Sequence, residues 1–272
     1  MEQFEGSLFS LKKVQDSSRN LRLLGYLDNI TVTTPKVPGE DDQVDVNYNV
    51  KEAKASAATF QVGYGTDGFL IGASLTQPNF LGTGDTLNLS ATHQSYVQNY
   101  NITFIQPFFR VNGMSRSFSV YYNRYDPDEL DLADFTNNNY GAAIGFGVPL
   151  TLNNSLNLSL GYSVNKISLG NPNGTGASTQ LQNYIDAEGA DTFPQALLTS
   201  TWIYQGLDRA IFPTQGYYQD VNGSLAEPAG SNGLQYYKLW YDGFSFLPLN
   251  HAHTWIIETR VGGGYGLSLI HI

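Results

Sequence analysis

The stretch YGAAIGFGVPLTLNNSLNLSLGYSV, residues 140–164, decides the fold. Tyr140, Ala142, Ile144, Phe146 and Val148 are apolar at every second position. After the turn-forming Pro149 to Asn154, the same period returns in Leu156, Leu158, Leu160, Tyr162 and Val164. The residues between them are Gly, Ala, Asn and Ser. A period of two puts successive side chains on opposite faces of a strand, so each run has one greasy face and one wet face.

The pattern extends upstream through Phe60, Val62, Tyr64; Phe69, Ile71, Ala73, Leu75; Leu87, Leu89, Ala91; Tyr100, Ile102, Phe104; and Phe118, Val120, Tyr122. Downstream it continues less cleanly through Leu198 to Tyr204, Val221 to Leu225, Tyr237 to Leu247 and Ile257 to Val261, giving eleven expected strands in all. Alternation alone also suits a soluble sandwich, whose greasy faces meet in a core. The connections separate the two. Tight or Pro-containing turns follow every second strand, at Pro78 to Gly84, Pro107 to Met114, Pro149 to Asn154, Gly206 to Gly216 and Pro248 to His253. More polar and sometimes longer loops lie between them, at Asp126 to Asn139, Lys166 to Thr192 and Glu227 to Gly233. Short turns at one end and long loops at the other are the plan of a bacterial outer-membrane barrel. Phe80, Phe108, Phe109, Phe212 and Trp255 fall near the turns, where an aromatic belt at the bilayer interface is expected.

Composition agrees. Only 14% of the 272 residues are charged, against about 25% in an ordinary soluble domain, while 36 are aromatic: 15 Phe, 18 Tyr and 3 Trp. No run of 18 or more apolar residues exists for a transmembrane helix. A net charge of −10 argues against nucleic acid as a partner, and the absence of Cys removes disulfides and thiolate metal sites. The first ten residues, MEQFEGSLFS, lack a basic segment and an apolar segment and do not read as a signal peptide.

Residues 1–53 differ in character. Leu11, Val14, Ser18, Leu21 and Leu24 recur at helical spacing, with Gly25 as the expected stop. Ile30 to Thr34 and Val44 to Val50 then read as strands around the turn-rich Pro38 to Asp42. The expected unit is helix, strand, turn, strand. An odd count of eleven strands does not suit a closed single-chain barrel, so an incomplete barrel is expected. Residues 267–272, LSLIHI, show no alternation that joins the rest.

Six stretches together carry a family resemblance: Gln3 to Gly6 (QFEG); Leu24 to Tyr26 (LGY); Val37 to Gly39 (VPG) followed by Asp42 to Val46 (DQVDV); Val62 to Thr66 (VGYGT); Gln77 to Gly84 (QPNFLGTG); and Leu207 to Gly216 (LDRAIFPTQG). In order and spacing they resemble the BamA family of outer-membrane protein assembly factors. The resemblance implies a mainly β fold: residues 1–53 as most of the last periplasmic POTRA domain, α+β and truncated. Residues 54–266 would then be strands one to eleven of a transmembrane antiparallel barrel that has sixteen in the family, and residues 267–272 a non-matching tail. Residues 1–5 would be the end of the POTRA domain's first helix. Against the family pattern, the last five strands and the inward loop with its Arg-Gly-Phe signature are missing.

The same resemblance implies folding and insertion of other barrels into the outer membrane of a Gram-negative bacterium, without ATP, cofactor or metal. The clients would be unfolded outer-membrane β-barrel proteins. They would add to the seam strand, Thr59, Phe60, Gln61, Val62, Gly63, Tyr64 and Gly65, by β-augmentation, in which main-chain hydrogen bonds supply affinity with little regard to side chains. Gly63 and Gly65 would let the seam bend; read from the residues alone, a simple barrel bend is the better account of them. Glu5 matches the position where the family contacts the lipoprotein BamD, one of several assembly lipoproteins, and outer-membrane lipid is the remaining partner.

Rival readings are weaker. A lipid-facing Ser–His enzyme would draw on His93 with Ser90 or Ser95, a pairing common by chance in a Ser-rich chain. Asp126, Asp128, Glu129, Asp131 and Asp134 lack the spacing of an EF-hand and read as an exposed acidic loop rather than a Ca²⁺ site. His251 and His253 have no third ligand for zinc. A passive porin needs no POTRA-like prefix. A two-partner secretion transporter of the same superfamily shares the overall plan and stands as the alternative. Asp208 and Arg209, ahead of Pro213 to Gly216, are expected to hold a periplasmic turn by local polar contacts.

Overall fold

A computed structural model describes residues 2–268, except Leu23, Gly25, Asp41, 53–55, 66–67, Val111, Asp131, Leu152, 171–178, Ala210, 233–234 and 251–253. The expected stop at Gly25 and the pair His251 and His253 therefore lie outside the described residues.

The N-terminal unit begins with a correction. Glu5 sits in a tight turn and not at the end of a helix. Gly6 takes a φ of 69°, the Ser7 N–H and hydroxyl reach back to the Phe4 carbonyl at 3.3 and 2.6 Å, and this closes the chain before a helical ladder can form. The side chain of Gln3 then organises residues 7–10: its Nε2 donates to Ser7 Oγ at 2.8 Å and its Oε1 accepts from the Ser10 N–H at 3.1 Å. That last bond occupies one of the orphan donors ahead of helix α1 (Leu11–Arg22). Val14 and Ser17 form the buried stripe of α1, with Leu11 exposed. Ser17 Oγ accepts the Glu2 N–H at 2.7 Å and fastens the leading segment to the helix.

Strands β1 (Leu27–Thr33) and β2 (Asn47–Glu52) pair antiparallel, with a register shift between Asp28 and Thr31 where Asn29 adopts a φ of 46°. The first strand starts earlier and the second later than the alternation suggests. Between them, an isolated Lys36–Val44 bridge and the Asp45 N–H on the Pro35 carbonyl tie the two arms of a loop together.

Eleven further strands come next: β3 (Ala57–Gly65), β4 (Gly68–Gln77), β5 (Thr86–Gln94), β6 (Val97–Gln106), β7 (Ser115–Tyr125), β8 (Phe135–Pro149), β9 (Asn154–Leu169), β10 (Thr192–Gln205), β11 (Gly216–Pro228), β12 (Tyr236–Pro248) and β13 (Ile256–Ser268). Each pairs antiparallel with its sequence neighbours, so one sheet runs in order from β3 to β13. The last strand reaches Ser268, two residues into the segment expected to lie outside it, because Leu267 and Ser268 pair with Tyr237 and Tyr236. A helix α2 (Thr179–Glu188) occupies the long loop between β9 and β10. It was not expected from the sequence. Its Tyr184 packs on Phe193 at 5.3 Å between ring centroids, and burial pushes the Tyr184 hydroxyl pKa up, Glu188 adding to the effect.

The two faces of the sheet sort as the sequence implies. Val120 on β7 and Leu160 on β9 are both 58% exposed, and their neighbours in the adjoining rows are exposed to varying degree. Apart from Pro127, the buried apolar residues among those described, glycines aside, are Val14, Val164, Tyr184, Phe193 and Ala226. Leaving a large apolar side chain in water forgoes about 1.5–3 kcal/mol, so ten of them would cancel the roughly 5–15 kcal/mol that stabilises a whole domain. Hydrocarbon is the medium in which this face is stable. The opposite face carries Ser163, Gln195, Thr201 and Asn222, hydrogen-bonded across strands: Gln195 Nε2 to Ser163 Oγ at 2.9 Å and Asn222 Nδ2 to Thr201 Oγ1 at 3.0 Å. A cavity of about 840 Å³ separates α1, at Lys12, Asp16 and Asn20, from the turn end of the barrel at Pro107 and Pro149. The small unit therefore lies at the short-turn end.

Candidate strand-addition edge

All seven seam residues that the family resemblance implies, Thr59 to Gly65, lie on β3. The strand pairs on one side only, Thr59 with Ser74, Phe60 with Ala73, Gln61 with Gly72, Val62 with Ile71, Gly63 with Leu70, Tyr64 with Phe69 and Gly65 with Gly68. Its other side meets no strand among the described residues. Half of the N–H and C=O groups of an antiparallel edge strand point away from its partner; β3 and β13 are the two edges of this sheet. At nine residues and a tilt of roughly 40°, β3 rises about 23 Å, just the height of the apolar band of an outer-membrane barrel. β9, with sixteen residues, extends well past that band.

No charged residue occurs on β3. Phe60, Val62 and Tyr64, at 81, 71 and 87% exposed, face the hydrocarbon side. At the foot of the strand, Ser56 Oγ donates to Gln77 Oε1 at 2.7 Å.

The glycines on β3 differ from those in the middle of the sheet. A Cβ on Gly63 would meet only Leu70 Cβ, at 3.9 Å, and one on Gly65 would meet nothing within 4 Å. Neither has a positive φ. Space and backbone angles within this sheet do not demand glycine there. At Gly141, on β8, a Cβ would strike the Tyr162 carbonyl and lie 3.0 Å from Ser163 Cα.

Glu5 belongs to the N-terminal unit and is exposed on its turn. His93 forms a hydrogen bond of 3.0 Å with the Tyr100 hydroxyl through Nδ1. Ser90 has the opposite strand parity and faces the other side of the sheet. In the acidic loop, Asp131 is outside the described residues and Asp126, 6% exposed, pairs with Arg124 at 2.5 Å. Among the described residues no three metal-ligating side chains gather.

The turn between β10 and β11 is clamped by Asp208, whose carboxylate accepts the Thr214 hydroxyl at 2.7 Å and the N–H groups of Thr214 and Gln215 at 2.9 and 3.2 Å. The Thr214 hydroxyl above all, with those N–H groups and Arg209, holds its pKa far below the ordinary carboxylate range. The turn displays Ile211 and Phe212 at its tip, the latter at a φ of 53°.

A single sheet of antiparallel strands in sequence order, greasy on one face, wet on the other and not closed on itself, with a small α+β unit at its short-turn end, defines the class: part of a membrane β-barrel bearing an N-terminal accessory domain. Residues 79–271 match the Omp85 superfamily domain, and residues 1–53 match the POTRA family described as surface antigen variable number repeat. The chain belongs to the Omp85 superfamily. It is 28% identical to the outer membrane protein assembly factor BamA of Neisseria meningitidis serogroup B over 274 residues, 98% of this chain and 34% of that protein. The solved structure of BamA from Haemophilus ducreyi lacking POTRA domains 1–3 is 30% identical, with a TM-score of 0.74, and is covered to 52% by 99% of this chain. CdiB from Acinetobacter baumannii shares the fold at 11% identity and a TM-score of 0.56, over 99% of this chain and 49% of that one. The chain thus spans about a third to a half of the proteins it matches. These matches place it in the bacterial outer membrane.

Proposed function

We propose that this chain carries the seam-forming part of an assembly factor that folds and inserts β-barrel proteins into the outer membrane without ATP. The observation that carries the reading is the likeness to two proteins named BamA, and it is consistent with β3 being a terminal strand of the sheet, as β13 also is. In lipid, each unsatisfied main-chain group costs several kcal/mol, so an unfolded client gains by pairing with the edge of β3 as it enters the bilayer. Main-chain pairing reads little sequence, which allows many clients. No step in this scheme makes or breaks a covalent bond.

In this reading the N-terminal unit and the short turns face the periplasm, and the α2 loop faces outward. Glu5, exposed on its turn, is the contact for BamD, and other assembly lipoproteins dock on the same periplasmic side. A two-partner secretion transporter would serve one secreted protein, and a porin none. Depleting the protein in its host, with quantitative proteomics of the outer membrane, is expected to lower many barrel proteins together. Loss of a single secreted protein, with the barrels unchanged, would overturn the reading in favour of the transporter.

A further inference from the structure

We propose that the hydrocarbon-facing side of β3 to β6 holds one lipid acyl chain in a fixed seat beside the seam. Register creates the seat. Phe60, Ala73, Ala91, Tyr100 and Tyr122 stand side by side in one row across five strands, because each is the cross-strand partner of the next. Two alanines between aromatic residues leave a hollow of about 620 Å³, whose floor continues over Leu89.

The Tyr100 wall is held in place. Tyr100 and Tyr122 pack at 6.1 Å between ring centroids, and His93 holds the Tyr100 hydroxyl at 3.0 Å.

The dimensions and the medium select the occupant. The floor is two strands wide, about 10 Å, and part of that width is taken by the rings on either side. An α-helix with its side chains needs about 10–12 Å, and an extended peptide lying there would leave its main-chain groups unpaired in hydrocarbon. A hydrocarbon chain has neither difficulty. It touches floor and both walls, where a flat stretch of the same face offers contact on one side only, and dispersion contacts add with each atom met. One wall, Phe60, belongs to the strand with the open edge, so the seated chain covers the flank of the seam. The seat rests on the membrane-facing reading of this side and not on client insertion, so the two can fail separately.

The test is native mass spectrometry of the protein isolated from outer membranes, titrated with dioleoyl phosphatidylethanolamine as the probe lipid. One lipid is expected to persist on the wild type after detergent exchange. Filling the seat with Ala73→Phe and Ala91→Phe is expected to cut that retention by at least about tenfold, as when two methylene-sized contacts are lost. Ala142→Phe, one row away on the same exposed face but outside the hollow, is expected to retain it. Heat-modifiable gel mobility reports folding. Ala91→Leu, a smaller filling, is expected to weaken retention and decides the matter if the double variant does not fold. Equal retention in the filled and control variants, or a wild type that keeps no lipid, would overturn the proposal.

Discussion

Proline placed in turn at Phe60, Gln61, Val62 and Gly63 is expected to give an alternating result. Along an antiparallel edge strand, successive N–H groups point alternately to the partner and to the open side, and proline removes the N–H wherever it sits. On the parity that faces β4, the substitution breaks the ladder with Leu70 to Ala73 and the barrel loses its heat-modifiable fold. On the other parity the ladder survives and only the open edge is damaged. Insertion of an unfolded barrel client into proteoliposomes then falls on the order of 100-fold, because a lost main-chain bond in lipid is worth several kcal/mol. Edge-facing prolines that insert clients at the wild-type rate would refute strand addition at β3.

The second large effect concerns fold rather than function. Gly141→Ala drives a Cβ against the backbone of Tyr162 and Ser163 and toward the Tyr121 hydroxyl at 3.0 Å. Backbone on two sides cannot yield as a flexible side chain can. Destabilisation of about 1–3 kcal/mol is expected from overpacking of this kind. Gly63→Ala meets only an ordinary contact at 3.9 Å, and loses the entropic penalty of glycine, roughly 0.5–1 kcal/mol. Its unfolding midpoint in urea is expected to match or exceed that of the wild type, while that of Gly141→Ala drops clearly. A Gly63 variant as damaged as the Gly141 variant would mean that the seam glycine is required by the sheet itself.

Much of this architecture is legible in the letters. Period-two alternation survives wherever one face meets hydrocarbon and the other water, which is why Tyr140 to Val148 and Leu156 to Val164 lie within β8 and β9, although both strands run five residues further into what the sequence reads as long loops. The turn at Asp208 is legible for a different reason, since Asp, Thr and Gly within nine residues satisfy one another locally. What escapes is what depends on register or on competition. Glu5 reads as helix end until Gly6 and Ser7 close the chain on Phe4. Helix α2 carries a faint helical period in Leu181, Tyr184 and Ile185 that a long polar loop obscures. The hollow between Phe60 and Tyr100 has no signature at all in sequence, because its alanines are brought together only by the pairing of Ala73 with Ala91. Glycine shows the limit best: Gly63 and Gly141 are the same letter, and only their cross-strand neighbours separate a free position from a forced one.

The central claim, that clients pair with the open edge of β3, is tested most directly by disulfide trapping during insertion. The chain has no Cys of its own, so single cysteines at Phe60, Val62 and Tyr64 can be matched against cysteines along the terminal strand of a barrel client. Directly opposed residues in an antiparallel pair lie about 4.5–5.5 Å apart between Cα atoms, within the reach of a disulfide. Cross-links should form in one register, shifting by two residues on the client for every two on β3, and be absent from a cysteine at Leu160 on the interior strand β9. Equal trapping at Leu160, or none along β3, would contradict the account.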